Sequence, residues 1–152
     1  MTLDSDVRRL AGVRPLDSLP REALQLLAFS CEKRKLGAGE LLFSEGESAD
    51  GAYFVLEGEI ALRKDAKERR VGPGALLGEQ ALLTETIRPG DAAAECDSVV
   101  LSIPRETFRR VLTEFPESAA KVQRVAGARA RALIVKLERL RRRRFAAAGG
   151  KR

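Results

Sequence analysis

The sequence predicts a mainly β fold with flanking helices, on three observations. Between residues 31 and 103, short apolar runs alternate with glycine-containing turns, the spacing of a sandwich or barrel. Before residue 31 and after residue 104, the apolar period changes to that of amphipathic helices. The chain has 152 residues and 44% hydrophobic content, enough for one compact domain and an appendage.

Taken in order, residues 4–12 read as a short helix, entered at Asp4 or Ser5 and stopped by Gly12. Ser18-Leu19-Pro20-Arg21-Glu22 starts a second helix with Pro20 at its first helical position. Leu24, Leu27 and Ala28 form its apolar side. Strands are expected over 31–36, 40–43, 52–57, 59–63, 68–71, 92–96 and 98–103. The run 52–57 (AYFVLE) has the strongest strand character, with Tyr53, Phe54 and Val55 as core candidates. Lys64-Asp65-Ala66-Lys67 reads as a hairpin loop, and Gly46, Gly58 and Gly74 as turn residues.

Pro104-Arg105-Glu106 opens another helix, with Phe108, Val111 and Leu112 facing inward, and Phe115-Pro116 ends it. From Glu117 to about Arg144 runs the longest helical pattern. From Ala126 onward its apolar positions are spaced four, three, four, three, a coiled-coil seam. The seam predicts a homodimer through Val122, Ala126, Ala130, Leu133, Leu137 and Leu140. Gly127 weakens that helix by roughly 1 kcal/mol against Ala. Arg141–Arg144 follow, and residues 145–152 are expected to be a frayed or disordered basic tail.

Charge and composition narrow the function. Residues 1–116 hold 16 Lys and Arg against 20 Asp and Glu, a net of −4, while residues 117–152 hold 12 against 2, a net of +10. An acidic body therefore carries a basic tail. The chain has no histidine, which removes the usual general base and the commonest metal ligand, so no enzyme and no metal site is expected. Cys31 and Cys96 lack a CxxC partner and read as buried small hydrophobes of a reducing compartment. No apolar run reaches a membrane span, and the N-terminus lacks a signal region, so a cytoplasmic location is expected.

The stretch that carries chemistry is GALLGEQALLTETIR, Gly74–Arg88, entered through the turn Gly72-Pro73-Gly74. A helix start here would present unpaired N–H groups and a positive dipole end to an anion. Gly78 would let backbone approach a ligand where a Cβ collides. Arg88 offers a planar, permanently charged donor fork suited to phosphate. Glu79, acceptor-only when ionised, suits a sugar hydroxyl.

Gly78, Glu79, Ala81, Leu82 and Arg88 match the pattern of the phosphate-binding cassette of cyclic-nucleotide-binding domains, which the chain resembles from about Val13 to Leu140. The resemblance implies a double-stranded β-helix, or jelly-roll, barrel. It divides the chain into N-terminal helices (1–30), a barrel (31–103) with its cassette at 74–91, C-terminal helices (104–144) and the tail (145–152). It implies a regulatory domain that binds a cyclic nucleotide, cAMP ahead of cGMP. The ligand contacts would be Leu77, Gly78, Glu79, Gln80, Ala81, Arg88 and Pro89. Signalling would reposition the C-terminal helix.

The match departs after Arg88. Ala or Ser is usual next, then a hydroxyl residue, whereas this chain has Pro89, Gly90 and Asp91. Pro89 has no N–H to donate, and Asp91 would set a carboxylate near the anion. The alternative is a degenerate domain of the same fold that binds a protein partner, with Arg88 paired structurally to Asp91 or Glu79. A third reading takes the basic tail as a contact for nucleic acid or an anionic membrane. The chain given ends at Arg152, which leaves no room for a helix-turn-helix reader, so direct DNA binding is not expected.

Overall fold

The computed structural model describes residues 3–122. Ala126, Ala130, Leu133, Leu137 and Leu140, and the tail, lie outside the described residues. Two helices come first, α1 (Leu3–Leu10) and α2 (Arg21–Ser30), linked through a 3₁₀ turn at Leu16–Ser18. The strands are β1 (Glu32–Leu36), β2 (Leu41–Phe43), β3 (Ser48–Ala49), β4 (Gly51–Glu57), β5 (Ile60–Lys64), β6 (Lys67–Val71) and β7 (Leu76–Leu77). A second 3₁₀ turn at Glu79–Leu82 leads to β8 (Thr86–Ile87), β9 (Asp91–Ala94) and β10 (Ser98–Pro104). Helix α3 (Arg105–Glu114) follows, and residues 116–122 are helical again.

The strands form two four-stranded sheets, ordered β1-β10-β4-β7 and β2-β9-β5-β6, with β3 paired to β8 beside them. Every pairing is antiparallel. This is the jelly-roll barrel with flanking helices that the sequence predicts.

Strand β4 explains the layering. Its side chains alternate faces, yet both faces are covered. Val55 joins a core between the two sheets, made with Leu36, Leu42, Phe43, Ile60, Leu77, Ala92, Ala94 and Val100. Ala52, Phe54 and Leu56 point the other way, into a core closed by Leu10, Leu16, Leu24, Leu27, Phe108 and Val111 of the helical segments. A strand covered on both faces reads as a continuous apolar run, which is why 52–57 is so strong a signal. Phe54 and Phe108 are fully buried, each worth about 1.5–3 kcal/mol of burial.

Helix α1 carries Asp4 and Asp6 in its first turn and Arg8 and Arg9 in its last, the order that complements the helix dipole. Buried Asp6 ties it to the barrel through Lys33 of β1, 3.0 Å away. Arg9 donates to the carbonyl of Leu56.

Several expectations are corrected. Pro20 is the cap preceding α2, which starts at Arg21. The 92–96 strand runs instead from Asp91 to Ala94. The two-residue strands β3, β7 and β8 were not expected, because two residues carry no alternation to read. Cys31 is half-buried and Cys96 exposed, so only the first resembles a core residue. Burial pushes the Cys31 thiol up to about 12. Val122, assigned to the dimer seam, is 1% exposed within the helix-side core of its own chain.

Candidate functional site

Arg88 directly follows β8, and its backbone is fixed on both sides. Its N–H donates to the Glu47 carbonyl at 2.8 Å, and its carbonyl accepts from the Gly46 N–H at 2.9 Å. The side chain is 3% exposed. Its guanidinium carbon lies 4.5 Å from the Phe43 ring centroid and 5.4 Å from that of Tyr53. The two rings are themselves stacked, 6.2 Å apart at 22°. This aromatic platform holds the cation by its face and leaves the edge donors aside. Arg88 Nη1 is buried with no hydrogen-bond partner among the described residues. Burial lowers the guanidinium pKa, an effect opposed by Tyr53, Asp50 and Glu47. A buried cationic donor without a partner is costly, and an anion at that edge would remove the cost.

Gly78 makes the approach possible. It adopts φ +74, and a Cβ there would collide with Arg88 Nη1. The residue therefore supplies both a left-handed turn and the room for the guanidinium. The turn that follows, Glu79–Leu82, is a single 3₁₀ turn. It is shorter than the helix start expected from the sequence, and too short to sum a useful dipole. Attraction for an anion therefore rests on Arg88 and local N–H groups. Leu82 is buried in the helix-side core and anchors the turn.

Both residues face a cavity of about 890 Å³. Leu77, Gly78, Glu79, Gln80, Ala81, Arg88 and Pro89 all line it. Leu77 and Ala81 are buried, Glu79 is half-buried, and Gly78, Gln80 and Pro89 are exposed. Phe43, Leu62, Ile87 and the β5–β6 hairpin, with Arg63, Lys64, Lys67 and Arg69 beside Asp65 and Glu68, line it too. That hairpin turns through Asp65 and Ala66, both at positive φ. Sequence reading missed Phe43 and the hairpin as site residues and placed Tyr53 in the core alone. Tyr53 reaches the site because it pairs with Leu77 across β4 and β7, a long-range register that local periodicity cannot reveal.

Asp91 does not pair with Arg88. It stands opposite Arg63 in the β5–β9 register, whereas neighbouring Ala92 stands opposite Leu62 on the inward face. Alternation therefore turns Asp91 outward at the cavity rim. Its Oδ1 accepts from the Glu45 N–H at 2.7 Å. The expected repulsion of an anion is correspondingly weaker. Pro89 keeps its consequence, since no N–H exists at that position. Among the described residues, no group of three or more His, Cys, Asp or Glu could hold a metal ion. No helix there is long and apolar enough to cross a membrane.

Comparison with known proteins adds four findings. A family model described as the cyclic nucleotide-binding domain matches residues 33–115. A cyclic nucleotide-binding-like protein from Brucella abortus is 44% identical, with a TM-score of 0.67 over 72% of this chain and 99% of that one. The regulatory domain of Toxoplasma gondii PKA, solved with cAMP, is 27% identical, with a TM-score of 0.66 over 72% of this chain and 44% of that one. A lysophospholipase of Phaeosphaeria nodorum is 34% identical over 131 residues, which span 82% of this chain and 9% of the relative. The chain thus matches under a tenth of that enzyme's length.

Proposed function

Because the chain belongs to the cyclic nucleotide-binding domain family, we propose that it is a regulatory module of the cytoplasm whose cavity takes a cyclic nucleotide, cAMP ahead of cGMP. The observation that carries this reading is Arg88: buried, stacked on Phe43 and Tyr53, with Nη1 unpartnered beside the Gly78 turn. The cyclic phosphate would accept from that edge. Glu79, half-buried in the cavity wall, would accept from the ribose hydroxyl. The base would lie towards Leu62 and Ile87. Binding and regulation, and not catalysis, are the chain's part in this reading. Dimerisation through Ala126–Leu140, outside the described residues, rests on the heptad spacing alone.

A second reading, a domain of the same fold that docks a protein instead of a nucleotide, is favoured by Pro89, which removes one backbone donor from the cassette. Isothermal titration of the chain with cAMP and with cGMP separates the two. The ligand reading expects saturable binding with cAMP tighter. No heat from either nucleotide at millimolar concentration, on the order of the weakest useful affinity, would leave the protein-docking reading.

A further inference from the structure

Arg105 lies behind the cassette, outside the residues that line the cavity. It is the first residue of α3 and is half-buried. Its Nη1 donates to three carbonyls: Ala49 at 3.1 Å, Ala81 at 3.0 Å and Thr84 at 3.2 Å. That nitrogen carries two hydrogens, so at least one is shared between acceptors. The backbone N–H of Arg105 donates to the Asp50 carbonyl at 2.7 Å.

These four acceptors belong to two segments. Ala49 and Asp50 end β3 and lead into β4; Ala81 and Thr84 belong to the 3₁₀ turn and its exit. The same two segments frame Arg88. Asp50 helps to keep its guanidinium charged, and Ala49 pairs with Thr86 two residues before it. The ends of the turn are closed by the Ala81 N–H donating to the Gly78 carbonyl and the Leu83 and Thr84 N–H groups donating to the Gln80 carbonyl. A single turn is not self-supporting. Charge-assisted bonds from α3 are therefore a substantial part of what holds it.

We propose that Arg105 is a positioning residue of the ligand site: it staples the cassette to the start of α3, so that ligand affinity and the placement of α3 depend on each other. The proposal rests on the reading of the cavity as a nucleotide site. A ligand that draws the turn towards Arg88 must move α3 with it or break these bonds. By linkage, whatever holds α3 changes affinity in the cavity by the same factor. The two arginines divide the work. Arg88 lines the cavity with a buried, unpartnered Nη1, and Arg105 reaches from α3 to the back of the cassette with its Nη1 hydrogens engaged.

Hydrogen–deuterium exchange on wild type, Arg105→Met and Arg105→Lys, each with and without cAMP, tests this. Met keeps most of the apolar stem and loses the donors. Without ligand, Arg105→Met should speed exchange over residues 79–87 by on the order of tenfold while β4 and β10 stay protected. Arg105→Lys should recover part of that protection. In Arg105→Met, cAMP should bind on the order of tenfold more weakly, and the cAMP-dependent change at α3 should disappear. Wild-type exchange over 79–87 in Arg105→Met would overturn the proposal. So would a uniform loss of protection that includes β4 and β10, which marks a merely structural role. If wild type takes up no cAMP, the ligand reading fails by itself, and the ligand-free comparison still decides whether Arg105 holds the cassette.

Discussion

Arg88 is kept in a state that stability alone would not select. Its Nη1 is buried without a partner, and the stack on Phe43 and Tyr53 offsets only part of that cost. Arg88→Met would remove the buried charge and keep a side chain that packs on aromatic rings. Ligand-free stability should rise by about 1 kcal/mol, read as a higher urea midpoint at unchanged m. If Arg88 instead held a structural ion pair, the same change would lower the midpoint. Asp91→Thr should tighten cAMP by no more than severalfold, since the carboxylate already faces outward and accepts from Glu45. A gain of a hundredfold or more would mean that Asp91 stands against the anion. The cysteines give a further check. Cys96 is exposed, while burial raises the Cys31 pKa to about 12. At mildly alkaline pH a thiol reagent should modify Cys96 quickly and spare Cys31. For Cys31 the folded pKa lies above the ordinary thiol value of 9.0, so the folded chain holds a proton that the unfolded chain loses. Its contribution to stability is thus intact below about pH 9 and falls as pH rises towards about 12.

At the scale of elements, the cassette depends on one left-handed residue and one short turn. Gly78→Ala would place a Cβ against Arg88 Nη1 at φ +74, costing roughly 1–2 kcal/mol and displacing the guanidinium. cAMP affinity should fall with it; unchanged affinity in titration would separate Gly78 from the site. Long elements were legible from sequence because their periods repeat. AYFVLE announced β4, and Phe108 with Val111 announced the inward face of α3. The two-residue strands β3, β7 and β8 were not legible, although they place Ala49, Leu77 and Arg88 around the cavity. Tyr53 looked like an ordinary core residue and Phe43 drew no notice, because their role depends on a register between distant strands. Arg105 looked like one more first-turn residue of a helix. Its three carbonyl partners come from 56, 24 and 21 residues away, beyond any local pattern. The direction of Asp91 was hidden for the same reason, since it follows from the register that sets Asp91 opposite Arg63.

For the whole molecule, the sheets and helices place the cavity on one side of the 3₁₀ turn and α3 on the other. On the proposed reading, a ligand event would reach α3 through that turn. If Ala126–Leu140 form the seam that their spacing predicts, Leu133→Asp with Leu137→Asp should give a folded monomer, measured by sedimentation. Deleting 141–152 should leave assembly unchanged. Loss of a salt-dependent affinity for DNA or anionic vesicles on that deletion would point instead to a role for the basic tail. The central claim, that the cavity seats a cyclic phosphate on Arg88, is tested most directly by titrating cAMP into wild type and Arg88→Met side by side. Wild type should bind saturably, and the variant, folded and no less stable, should bind at least about a hundredfold more weakly. Equal binding by the two proteins, or no binding by wild type at millimolar cAMP, on the order of the weakest useful affinity, would contradict it.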